Sequence, residues 1–90
     1  MKADYKKVRR KLNIAMGQLN AISNMVDTDK YCIDISMQLL AVISALKGIN
    51  NDILNAHMKS CVVEAIKDGS KEKIDTKIDE VMSVLTKMVK

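Results

Sequence analysis

Apolar positions recur three and four residues apart in three separate runs along the chain, with polar residues between them. The first run is Tyr5, Val8, Leu12, Ala15, Leu19, Ile22 and Val26. That spacing is a heptad seam and predicts a helix from about Ala3 to Val26. Gly17 interrupts it, at about 1 kcal/mol relative to alanine, and suits a close helix crossing. Asp27-Thr28-Asp29 then supplies a turn and an N-cap for the next helix. The second run is Ile35, Leu39, Val42, Leu46, Ile49, Ile53 and Ala56, predicting a helix from about Asp29 to Lys67. A further stripe of Ile33, Leu40, Ile43 and Leu54 widens its apolar surface. One partner helix within the chain does not cover both stripes, so contact with other chains is expected. Gly48 with Asn50-Asn51 is where this helix is most easily broken. Asp68-Gly69-Ser70 then ends it, with Gly69 as a left-handed cap and Ser70 as the N-cap of a third helix. Ile74, Ile78, Val81, Leu85 and Met88 predict that third helix from about Lys71 to Val89. No repeat or long linker divides residues 1–90, which read as a single all-α domain.

Composition agrees with helices packed on helices. The 90 residues are 48% apolar and include no Pro, Trp or Phe. A chain this short buries a modest fraction of its surface alone, which again favours assembly. The net charge is +4, and the basic residues cluster at the start as Lys2, Lys6, Lys7, Arg9, Arg10 and Lys11. Such a cluster suits a polyanion and equally suits a solvated helix end. No apolar run is expected to approach the roughly 20 residues of a membrane span, and no signal peptide pattern is present. A cytosolic protein with two cysteines uses them for metal or redox chemistry more readily than for a structural disulfide.

Both cysteines and the only histidine lie at the two ends of the second helix. Cys32 and His57 are roughly 37 Å apart along it, too far to share a ligand. Yet Cys32, His57 and Cys61 project within roughly 20° of one face. Two copies packed antiparallel bring Cys32 of one to His57 and Cys61 of the other, giving two sites per dimer. Two thiolates and one imidazole select Cu(I) or Zn(II), and the lack of a fourth ligand favours Cu(I). Against this, free cysteines commonly fill core space, so spacing alone leaves the metal role open.

The segment Asp29-Lys30-Tyr31-Cys32-Ile33-Asp34-Ile35, with Gly17-Gln18, Gln38, Ala41-Val42, His57 and Cys61-Val62, resembles the CsoR/RcnR family of metal-sensing repressors over nearly the whole chain. The resemblance implies three helices per chain, an antiparallel dimer of long helices forming helical bundles, and a dimer of dimers. In the copper-sensing branch it implies an apo tetramer that binds double-stranded operator DNA and releases it with Cu(I). The implied ligands are Cys32, His57 and Cys61, with Tyr31 in a supporting position; the family's supporting glutamate falls on Lys77 by direct counting and on Glu80 with a short insertion. Nickel and cobalt sensors replace the second cysteine by histidine, and persulfide sensors lack the histidine, so this pattern matches copper. The chain departs from the family at Ile14, Met16, Asn20 and Ile43, where charged residues are usual. Phosphate contact then falls to Lys6, Lys7, Arg9, Arg10 and Lys11.

The expectation is therefore a cytoplasmic, homotetrameric Cu(I)-responsive repressor without catalytic activity or membrane contact. A thiol- or persulfide-sensing repressor using Cys32 and Cys61 is one alternative. A copper-buffering protein without specific DNA binding is the other.

Overall fold

The computed structural model describes residues 1–69 and 71–89. It contains three helices: α1 (Tyr5–Asp27), α2 (Cys32–Asp68) and α3 (Lys71–Val89). There is no strand among the described residues. The expected cap at Ser70 lies outside them.

The start of α1 is fixed by Asp4. Its carboxylate accepts from the Lys6 and Lys7 backbone N–H groups at 3.0 and 3.4 Å, and its carbonyl takes the first helical bond from Val8. Two of the helix's open donors are thereby satisfied. The other end closes in a Schellman arrangement. Lys30 N–H reaches back to the Met25 carbonyl at 2.9 Å, and Asp29 N–H to Val26 at 3.2 Å. The Thr28 hydroxyl adds a bond to the Asn24 carbonyl at 2.8 Å. The reversal puts Asp29 in the left-handed region, φ 55°.

This corrects the expectation that the Asp27-Thr28-Asp29 stretch caps α2. Asp29 ends α1 and does not cap α2, which begins at Cys32 with the Tyr31 carbonyl accepting from Ile35 N–H at 3.1 Å. Aspartate serves both ends of helices, and the two roles look alike in a linear sequence.

α2 runs through Gly48 and Asn50-Asn51 unbroken. It stops where expected: Gly69 adopts φ 69°, and its N–H bonds the Ala65 and Ile66 carbonyls at 2.9 and 3.1 Å. Among the described residues, nothing approaches Gly17 or Gly48 within 4 Å of where a Cβ would stand. The close crossing expected at Gly17 is absent from the described residues.

The chain forms two compact units. One comprises residues 4–50, and its core is Ala15 and Ile22 of α1 against Val42 and Ile49 of α2. The other comprises residues 1–3 and 51–90, with Cys61, Ala65 and Val81 buried. Each core is small because each unit is a pair of helices. The wide apolar surface of α2 stays largely uncovered, with Ile33, Leu40 and Ile43 exposed at 56%, 55% and 46%. Leu39 and Leu46, expected in the seam, are exposed too.

One expectation is overturned. α2 is long and apolar enough to cross a membrane by length and composition, with an 18-residue window of mean hydropathy 1.6, only 11% of it buried. Isolated polar residues such as Asp34, Gln38 and Lys47 interrupt the run without lowering its average much. A helix that covers itself with other helices has the same composition.

Candidate metal centre and basic face

His57 and Cys61 stand one turn apart on α2, and helical geometry alone brings them together. The His57 Nε2 to Cys61 Sγ distance is 3.4 Å. Cys61 is 8% exposed and His57 half-buried. A soft metal with bonds of about 2.0 Å to nitrogen and 2.3 Å to sulfur spans donors roughly this far apart. The pair therefore fits two positions of one coordination sphere without moving the helix.

Cys32 is exposed in the first turn of the same helix. Among the described residues no three of His, Cys, Asp and Glu converge on a metal-sized space. Two predicted ligands are brought together in one chain and the third is not, in keeping with their separation along α2.

The surroundings of Cys61 belong to the α2–α3 turn. A groove of about 410 Å³ is lined by Cys61, Glu64, Ala65, Asp68, Lys73 and neighbours. Lys73 donates to the Asp68 carboxylate at 2.6 Å. That bond holds the Asp68 carboxyl below the usual carboxylate range and raises the Lys73 ammonium above its own. Glu64, one turn beyond Cys61, pairs with Lys2 at 3.5 Å. Glu80 pairs with Lys77 at 3.6 Å, a partner within its own helix. Tyr31 is 68% exposed, immediately before Cys32.

The basic cluster is split by the turn of α1. Lys6, Arg9 and Arg10 line one shallow groove of about 500 Å³ with Tyr5, Asn13 and Ile14. The Arg9 guanidinium lies 5.7 Å from the centre of the Tyr5 ring, within cation–π range. Lys7 is exposed elsewhere on the helix, and Lys11 lines a second hollow of about 260 Å³ with Ile14, Ala45, Gly48 and Ile49. Asn13 was not among the residues that the charge pattern singled out. The available signal was its spacing of three and four from Arg10 and Arg9.

Residues 4–87 match the family of metal-sensitive transcriptional repressors. The chain is 37% identical over 83 residues to the copper-sensing transcriptional repressor CsoR of Bacillus subtilis, covering 92% of this chain and 79% of that one. It is 34% identical over 81 residues to the copper-sensing transcriptional repressor RicR of Mycobacterium tuberculosis, covering 90% and 83%. Among solved structures, the copper-sensing repressor CsoR with Cu(I) from Geobacillus thermodenitrificans superposes with a TM-score of 0.81 at 29% identity, over 94% of this chain and 85% of the other. The nickel-responsive regulator InrS shares the fold, with a TM-score of 0.80 at 24% identity, over 98% and 96%.

Proposed function

The chain belongs to the family of metal-sensitive transcriptional repressors, and we propose that Cu(I) is the signal that makes it release operator DNA. The observation that carries this is the donor pair, one imidazole nitrogen and one thiol sulfur 3.4 Å apart on one helix turn. The third donor is Cys32 of a second chain, delivered by antiparallel pairing of α2. Two sulfurs and one nitrogen form a soft set, and three donors without a fourth suit Cu(I) better than Zn(II). The copper-sensing relatives support the same choice. Cu(I), when bound, supplies a soft Lewis-acid centre joining two chains. The thiols bind as thiolates and give their protons to solvent. Tyr31 and Glu80 act in supporting positions.

Regulation is linkage between two ligands. Copper and DNA prefer different arrangements of the assembled chains, so each weakens the other by the same factor. Lys6, Lys7, Arg9, Arg10 and Lys11 supply contacts to phosphate. The chain works as a homo-oligomer, a dimer of dimers, in the cytoplasm. The family is one of repressors, and the protein is not an enzyme.

The test is fluorescence anisotropy on duplex DNA from upstream of the protein's own gene, with and without Cu(I). Unmodified protein binds and is released by copper. Cys32→Ala, His57→Ala and Cys61→Ala bind and are not released. Release by persulfide or disulfide reagents but not by Cu(I) transfers the role to a thiol signal. Absence of preference for that DNA over random duplex leaves copper buffering as the function.

A further inference from the structure

The side of α1 that points away from its core carries a second pattern. Lys6, Arg10, Asn13, Gly17, Asn20 and Asn24 are spaced four, three, four, three and four apart. At 100° per residue they fall within an arc of about 80°, opposite the buried Ala15 and Ile22. All six are exposed. Asparagine and glycine rank low as helix formers, and four of them stand in one line inside a 23-residue helix. Among the described residues nothing compensates. The side chains of Asn13, Asn20 and Asn24 make no hydrogen bond among the described residues, and nothing lies within 4 Å of a Cβ built on Gly17. A local rule broken repeatedly on one face, without a structural return, marks a face kept for a ligand.

The chemistry of the line identifies that ligand. Its first turns are cationic, with Lys6, Arg9 and Arg10 around Asn13 in one groove. Beyond them it carries no charge, only carboxamides with paired donor and acceptor. A carboxamide matches the N6 donor and N7 acceptor of adenine in the major groove. Glycine lets the backbone approach closely. We propose that this stripe is the sequence-reading surface of the repressor: Lys6 and Arg10 hold phosphate, and Asn13 and Asn20 each read an adenine. The two asparagines are two helical turns apart, about 10 Å, which corresponds to roughly three base pairs. The proposal rests on the reading of the chain as a DNA-binding repressor and adds which residues give it specificity.

The experiment is selection from a pool of randomised duplexes by the full-length apo protein, with anisotropy then measured on the selected sequence and its single-base variants. The unmodified protein enriches two adenines about three base pairs apart. Asn13→Ala and Asn20→Ala each erase one of the two preferences, lowering discrimination at that position by roughly 5- to 150-fold, the value of one bidentate pair. Affinity for random duplex stays the same. Thermal stability of both variants rises, because alanine is the better helix former. Arg9→Ala with Arg10→Ala weakens binding to every sequence and flattens its salt dependence. If the asparagine variants select the same sequences as the parent, or weaken all duplexes equally, the stripe does not read bases, while the repressor reading survives. A change in sedimentation of the asparagine variants makes the stripe a contact between copies and overturns the proposal. If the unmodified protein binds no duplex at any salt, the repressor reading falls and takes the stripe with it.

Discussion

Two residues with positive φ show what a single side chain decides. Asp29 and Gly69 hold the same left-handed conformation at the ends of α1 and α2. Glycine adopts it freely and aspartate does so at a cost of about 1 kcal/mol. Asp29→Gly is therefore expected to raise stability by about 1 kcal/mol, and Gly69→Ala to lower it by about the same amount, measured by urea unfolding. Gly69 was legible in the sequence because glycine after an apolar run has one common meaning. Asp29 was not, because aspartate is a frequent residue in turns and at helix starts. The Asp68–Lys73 pair sets a pH expectation across the same turn. Asp68 titrates below its unfolded value, so its contribution is present above the unfolded carboxylate pKa and is lost as pH falls through the folded one. Lys73 titrates above its unfolded value, so its contribution is present below the unfolded ammonium pKa and is lost as pH rises through the folded one. In Asp68→Asn both flanks of the stability profile flatten, as chemical unfolding across a pH series would show.

At the scale of the element, α2 was readable as a helix and less readable as a surface. Its seam predicted Val42 and Ile49 inside, and both are buried. Leu39 and Leu46 belong to the same seam yet are 42% exposed each, since a single chain offers one neighbouring helix at a time. Periodicity says which residues seek burial and not what supplies it. Gly48 is the converse case. It looked like a breaking point, but the turns on either side carry it, and a lone glycine costs only about 1 kcal/mol in a helix. Gly48→Ala is expected to stabilise the fold by about 0.5–1 kcal/mol, because none of the described residues stands within 4 Å of the added methyl group. Destabilisation in thermal unfolding would show that a neighbouring chain packs against that position. The candidate site was legible at the same scale: one helix turn sets the His57–Cys61 pair, and no folding detail was needed. The roles proposed for Asn13 and Asn20 were hidden, since a polar outward face looks like ordinary solvent exposure until its helix propensity is weighed.

For the whole molecule, the exposed apolar side chains of α2 set the expectation. Ile33, Met37, Leu40, Ile43, Val63 and Ile66 all exceed 45% exposure on one helix. Exposed apolar side chains in that number on one helix are characteristic of interaction faces. Sedimentation at micromolar concentration should give an oligomer, and the melting temperature should climb with protein concentration, because association stabilises the folded chain by mass action. A folded monomer with a concentration-independent melting temperature would remove both the assembly and the shared metal site. The division of donors along α2, with Cys32 in its first turn and His57 and Cys61 beyond its midpoint, then has a genetic consequence. In the proposed pairing, a chain lacking Cys32 spoils only the site it lends that sulfur to. A chain lacking Cys61 spoils only the site its own imidazole faces. Put together in one cell, these two defective alleles place both lesions in the same site of a mixed dimer and leave the other site whole. Each allele alone is expected to leave the operator occupied in the presence of copper, and the two together to restore a response to copper that neither possesses.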